Sequence, residues 1–321
     1  MGRYILRRSL QAIPLLFLMT IAMFVLIHLL PGGPDQVLFN PHQTAAAKAQ
    51  LRASLGLDDP APIQYVKWVT SALTGNFGYS FNTNEPVTTV ISRAFPNTLE
   101  LFGAALLLAL VIAILLGVIS GVKQGTATDY GLTILAYAGI AMPVFLLGLL
   151  VDDVFGVALK WFPTSGTSSV SVTFSNPFSA FVDHLWYLVL PMTVLAIAFI
   201  AGWSRYLRSS MIETVKQDYM RTARAKGVGP VSLLFRHALR NALIPLITVV
   251  ALDFGSVAGG AAITEGVFAW HGMGLLFLDS LGRRDYPVLI AMLMIGAVFV
   301  IVFNLLADIL YGVMDPRIRY S

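Results

Sequence analysis

Asp218-Tyr-Met-Arg-Thr-Ala-Arg-Ala-Lys-Gly227, followed at a short interval by Arg236-His-Ala-Leu-Arg-Asn-Ala-Leu-Ile-Pro245, decides how this chain is read. From Arg205 to Asn241 eight basic residues face two acidic ones, Glu213 and Asp218, a formal charge of +6. A long apolar run lies on either side. A basic island between two membrane spans marks a cytoplasmic loop. Locally the stretch reads as a short helix. Asp218 suits the N-cap, and its carboxylate suits the positive end of the helix dipole. Tyr219 to Lys226 contains no Pro, Gly, Val or Ile to oppose helix. Arg224 and Lys226 fall in the last turn, and Gly227 is placed to stop it. Two turns make a rod of roughly 12 Å. Tyr219, Thr222, Ala223 and Lys226 share one face at helical spacing, where small residues would let another protein approach closely. The plain alternative is a solvated basic loop.

Composition sets the class. The 321 residues are 57% hydrophobic and 12% charged, against about 25% charged for a soluble domain. Mean hydropathy is +0.76. This is the composition of an integral membrane protein. The net charge of +4 sits mostly at span ends and gives no sign of nucleic-acid binding. There is no cysteine, which removes disulfides, thiolate chemistry and Cys-ligated metals. The five histidines form no close pair in sequence.

Six spans are predicted, an all-α membrane fold. The first is an uncleaved N-terminal helix within residues 1–30, with Arg3, Arg7 and Arg8 before it and Leu30-Pro-Gly-Gly-Pro34 after it. Residues 31–96 form an extracytoplasmic subdomain with small helices at Thr44–Leu55 and Ile63–Leu73 and a turn at Gly75–Gly78. A transmembrane domain follows over 97–314, with the coupling loop 205–241 inside it, and 315–321 is a cytoplasmic tail. Span two runs from about Thr98 to Gly121, with Glu100 as a helix-start anion. Span three runs from about Tyr130 to Val151, kinked at Pro143. Span four runs from about Leu185 to Trp203, span five from about Ala242 to Thr264, and span six from about Val288 to Tyr311. The proposed inner segments hold 14 Lys and Arg and the outer ones 7, so both termini are expected inside.

The chemistry in the sequence is sparse. There is no G-x-x-x-x-G-K-[ST] loop, no Gly-x-Ser-x-Gly and no His-Glu-x-x-His. Asp152 and Asp153 are adjacent and diverge on a helix, unlike a catalytic pair. The expectation is a protein without enzymatic activity. Asp253 is the one acid in the middle of a span, where an ionisable group is costly and by default functional. It either lines a polar translocation path or bonds to a neighbouring helix. Gly255, Gly259 and Gly260 lie beside it, and their lack of side chains suits both close packing and a path. Gly117 and Gly121 read as helix packing.

With these residues in view, the chain resembles the permease subunits of peptide/nickel-type ABC importers, most closely those of dipeptide and oligopeptide systems. The resemblance covers nearly the whole chain. Leu30-Pro-Gly-Gly-Pro34, Leu55-Gly-Leu-Asp58, Gly75-Asn-Phe-Gly-Tyr-Ser80, Pro96-Asn-Thr-Leu-Glu100 and Phe162-Pro-Thr-Ser-Gly166 carry it. So do Thr264-Glu265 through Phe268, and Arg284-Asp-Tyr-Pro287. Its most specific part is the opening stretch, similar to the ATPase-docking loop of importer permeases. The resemblance implies that Asp218, Tyr219, Arg221, Thr222, Ala223, Ala225, Lys226, Gly227, Arg236, His237 and Asn241 meet a partner ATPase. It also implies a second, similar permease, two cytoplasmic ATPase domains that bind ATP and Mg, and an extracytoplasmic solute-binding protein. The chain itself would hold no cofactor and no metal, and would sit in the bacterial cytoplasmic membrane. The solute would be a di- or oligopeptide, with nickel or another small solute such as glutathione as the alternative. A passive channel, a secondary transporter and a structural membrane subunit are the competing classes.

Overall fold

Long apolar runs with few breakers must close their backbone hydrogen bonds within themselves, so helices dominate. The computed structural model describes residues 2–29, 56, 58–169, 172, 174, 176–255, 257 and 260–314. The expected helix at Thr44–Leu55, the tail at 315–321 and Gly259 lie outside them. Helix α1 spans Gly2–Leu29 and α2 spans Ala61–Leu73. Then come α3 (Val87–Val122), α4 (Ala127–Ala141) and α5 (Val144–Val151), the last running on through a wide-turned segment Asp152–Ala158. The longest helix, α6, covers Pro177–Val215, and the short rod α7 covers Asp218–Ala225. Helix α8 runs from Pro230 to Phe254, with a wide i→i+5 turn at Leu233–Leu239. The chain closes with α9 (Ala262–Val267), α10 (Met273–Gly282) and α11 (Tyr286–Met314).

Four of these, α3, α6, α8 and α11, are long and apolar enough to cross a membrane, and the α4–α5 pair makes a fifth if it counts as one bent span. Helix α1 carries the shorter apolar stretch Ile13–Val25 and packs on α11.

Several expected boundaries move, each for a local reason. Helix α3 begins at Val87, well before Thr98, because nothing between Pro86 and Val122 stops it; Pro96 is accommodated inside it. Glu100 is therefore mid-helix, not a helix-start anion. Span three breaks. The two halves meet at 102°, because the residue before a proline is driven out of the helical region, and Met142 has ψ 123°. Helix α6 outruns its expected end at Trp203, so Arg205 and Arg208 ride on a helix and not in a loop. Span five ends early at Phe254, and residues up to Gly282 fold into the short helices α9 and α10.

The core is the seam between α3 and α6. Leu101, Ala105, Ala109, Ala113, Gly117 and Gly121 recur every fourth residue and are buried. Opposite them lie Trp203, Leu207 and Met211 of α6. A Cβ on Gly117 would stand 2.8 Å from Leu207 Cβ, and one on Gly121 2.7 Å from Met211 Cβ. Small residues on one helix let the other approach, the packing that replaces hydrophobic drive inside lipid.

Two polar clusters pin the helices at the end of the seam away from Gly121. Glu265 is fully buried. Its carboxylate accepts from Thr98 Oγ1 (2.9 Å), Ala261 N (3.1 Å) and Leu275 N (3.0 Å), so both buried oxygens have donors. Trp270 Nε1 donates to the Asn97 carbonyl at 2.9 Å. Asp285 accepts from Ser80 Oγ at 2.5 Å and Phe81 N at 3.0 Å, holding the segment before α3 against the turn before α11. Glu100, misplaced in the sequence reading, meets His184 Nε2 at 2.8 Å across the α3–α6 seam. The expected helix at Ile63–Leu73 is α2. It docks on α1 through Tyr65, with its hydroxyl 2.8 Å from Thr20 Oγ1 and its ring 5.5 Å from that of Phe24.

Gly121→Leu forces atoms into a filled seam and should lower stability by about 1–3 kcal/mol. Gly103→Ala adds a Cβ with nothing within 4 Å and should be neutral or slightly stabilising. Thermal unfolding of the two variants in detergent checks the contrast; equal melting points would contradict the seam.

Candidate functional site: the basic surface between α6 and α8

Helix α7 hangs beneath α6, separated by Lys216 and Gln217. Its N-cap is Gln217, with extended ψ of 151° and no side-chain cap bond; Asp218 is the first helical residue. The expected Asp218 cap is thus corrected by one position. Asp218 instead lies 3.5 Å from Arg221 on the exposed surface, a pair that adds little to stability. The C-terminus is as the sequence predicts. Gly227 has φ +78°. Its N–H donates to Arg224 O at 3.0 Å, and Val228 N–H donates to Ala223 O at 3.2 Å. That pair of bonds is the Schellman closure, for which glycine is the unstrained residue.

The four-residue face expected for a partner splits in two. Tyr219, Thr222 and Lys226 are exposed, as are Arg221, Arg224 and Ala225. Ala223 is buried together with Met220. Both join the cluster containing Met211 of α6 and Leu233 and Ala238 of α8. Met220 and Ala223 are three residues apart, so they form an apolar stripe that the protein's own core takes. Ala223 seats the rod and does not offer a contact surface.

Helix α8 opens beside α7 with its wide turn, a form of helix frequent at functional sites. Arg236 and Asn241 are exposed and His237 is half-buried. Asn241 Nδ2 donates to the His237 carbonyl at 2.9 Å. The structure therefore brings together the basic and polar residues of α7 and the start of α8 on one surface.

The root of this surface is an ion pair that sequence reasoning missed. Asp129, 1% exposed, accepts from Arg208 Nε at 2.6 Å and Nη2 at 2.8 Å. Ser120 Oγ and Gly125 N (2.9 Å) also donate to it. One carboxylate thus joins α3, the 123–126 turn, α4 and α6. The available signal was an acid in the first turn of an apolar helix, facing an arginine inside the run of α6.

The candidate path residues divide. Asp253 is half-buried and accepts from Trp203 Nε1 of α6 at 2.7 Å, the neighbouring-helix arrangement. Gly255 packs on α11, its would-be Cβ 3.3 Å from Phe303 Cβ. Gly260 has φ +73°, and a Cβ there would stand 2.3 Å from Gly274 N. The space expected beside Gly260 is filled by the backbone of α10.

Removing one partner of the buried pair leaves the other charge stranded. Asp129→Asn or Arg208→Gln should each cost about 3 kcal/mol or more, while Arg221→Gln on the exposed rod should leave unfolding unchanged. Denaturation of the three variants is the measurement; equal effects would remove the special standing of the buried pair.

Residues 113–320 match the family described as binding-protein-dependent transport system inner membrane component, and residues 1–102 match the N-terminal part of such membrane components. The chain is 43% identical over 321 residues to the oligopeptide transport system permease protein AppB of Bacillus subtilis, covering 100% of both. It is 39% identical over 332 residues to the di/tripeptide transport system permease protein DppB of Pseudomonas aeruginosa, covering 99% of both. It is 37% identical over 322 residues to the glutathione transport system permease protein GsiC of Salmonella paratyphi A, covering 100% of both. With its apolar spans and its structured basic surface, the chain belongs to the inner membrane components of binding-protein-dependent transport systems, as an ABC-type permease subunit rather than an enzyme.

Proposed function

We propose that this permease carries di- and oligopeptides inward across the cytoplasmic membrane by alternating access, driven through α7. The observation that carries the reading is the two-sided rod. Met220 and Ala223 are locked into the transmembrane core, while Tyr219, Thr222 and Lys226 are presented outward. A partner that grips the outer side moves the core with it. The partners are two cytoplasmic ATPase domains that bind ATP and Mg, a second and similar permease that completes the path, and an extracytoplasmic binding protein that delivers the solute. The ATPases close on ATP and reopen after hydrolysis, and the permeases follow as rigid bodies biased by ligand at each face. Six spans, with α1 as the first and α4–α5 as the third, keep both termini in the cytoplasm.

Peptide is favoured by the two relatives named for oligopeptide and di/tripeptide transport. The glutathione relative keeps that solute as the second reading, and glutathione is itself a short peptide. Nickel has less support: among the described residues no three His, Asp or Glu side chains converge to hold a metal ion.

The double variant Tyr219→Ala, Thr222→Arg spares the buried seat. It should lower ATP-dependent peptide uptake into vesicles about tenfold, the loss of roughly 1.4 kcal/mol at an interface, while the protein still inserts and melts normally. Unchanged uptake would sink the coupling role. Orientation has a clean test, because the chain has no cysteine. A membrane-impermeant thiol reagent should label Ala225→Cys only from the cytoplasmic side and Leu73→Cys only from the outside. The reverse pattern would overturn the topology.

A further inference from the structure

A cleft of about 360 Å³ lies between α4 and α6, lined by Thr133, Tyr137, Gly202, Arg205, Tyr206 and Ser209, with Arg208 at its edge. The two arginines have different fates. Arg208 is committed to Asp129. The Arg205 guanidinium lies 4.7 Å from the centre of the Tyr137 ring, and among the described residues no carboxylate pairs with it. A cation held by an aromatic face and left without a counter-charge makes the cleft electropositive. Gly202 opens the cleft, since a Cβ there would meet nothing within 4 Å. Away from the projecting end of α6, α4 continues from Tyr137 to Ile140, 54% and 47% exposed. The two are three residues apart and share one aliphatic–aromatic face.

The height of the cleft narrows its occupant. Helix α6 has 39 residues, a length of about 58 Å, against a hydrocarbon core of about 30 Å. Its end therefore projects from the core, and Arg205, roughly 15 Å before that end, lies near the boundary between acyl chains and headgroups. Tyrosines gather at that level, and basic pockets between helices there take anionic headgroups. We propose that this cleft seats the phosphate of an anionic phospholipid, with Arg205 as its counter-charge and an acyl chain running from it along Tyr137 and Ile140 of α4. The leaflet, but not the site, rests on the orientation proposed above: with α7 in the cytoplasm it is the inner one. Bound there, the lipid abuts the Asp129–Arg208 root of the coupling surface, so the membrane's anionic content bears on how firmly α4 and α6 move together.

The probe is phosphatidylglycerol. The intact protein is equilibrated in nanodiscs of phosphatidylcholine and phosphatidylglycerol, and the retained lipid is read by native mass spectrometry. Wild type should retain phosphatidylglycerol in preference to phosphatidylcholine. Arg205→Gln should reduce that preference about fivefold, the effect of one basic residue at an anionic surface. Gly202→Leu, which fills the cleft and leaves every charge in place, should reduce it similarly, while Arg93→Gln, on the outer part of α3, should not. Wild-type retention by both cleft variants would overturn the proposal. So would a raised KM for peptide uptake by Arg205→Gln in vesicles of phosphatidylcholine alone, because the cleft would then serve peptide carboxylates. Labelling of Ala225→Cys from the wrong side, with lipid retention intact, would move the site to the other leaflet and count against the proposed topology alone.

Discussion

The close approach of α3 and α6 is the constraint from which the rest of the structure follows. In lipid there is no water to expel, so helices associate through contact and hydrogen bonding. A stripe that narrows from Leu101 through three alanines to Gly117 and Gly121 brings the C-terminal halves of the helices nearest together. There the α6 backbone comes within reach, with Ser204 O and Arg208 O standing 3.0 and 3.3 Å from the would-be glycine Cβ atoms. This closeness also sets the geometry of the ion pair one turn away. Arg208 of α6 reaches Asp129 of α4 with two nitrogens, and Ser120 of α3, beside Gly121, donates to the same carboxylate.

From that root the coupling surface is built outward. Met211, the α6 residue against Gly121, belongs to the same buried cluster as Met220 and Ala223. The rod itself packs on the wide turn Leu233–Leu239 that opens α8. Its polar side is free because its apolar side is so short, two residues in a helix of eight. The Schellman closure at Gly227 then turns the chain sharply into α8, which places Arg236 and Asn241 beside the rod.

Much of this was legible in the sequence. Breakers and charges are local signals, so the rod, its stop at Gly227 and the basic character of the surface could be read directly. The membrane class followed from composition. What failed was longer in range. Met220 was passed over because a single apolar residue in a charged run carries no period, and only its neighbours reveal that Ala223 points the same way. The break at Pro143 is a proline signal, but its size depends on α5 finding a separate seat on α6 and α9. The partners Asp129–Arg208 and Glu100–His184 are far apart in sequence, and no spacing rule joins them. Asp253 was recognised as anomalous, yet its bond to Trp203 lies across two helices. The four-residue period of α3 was present throughout and was read only at its two glycines, because alanine in an apolar run looks like filler.

The same distribution of stiffness decides where a displacement of α7 can go. A two-turn rod transmits force only if its attachment does not yield. Here the attachment is a packed seam, a buried ion pair with four donor groups and a hydrogen-bonded turn. Met220 and Ala223 tie the rod to the buried cluster that holds residues of α3, α6 and α8. Helical regularity breaks at Met142–Pro143, where α4 and α5 meet at 102°. The Glu265 cluster ties α9 and α10 to Thr98 of α3. The Glu265 cluster and the Asp129–Arg208 pair are thus two polar anchors at opposite ends of the apolar α3–α6 seam, reached from α3 through Thr98 and Ser120.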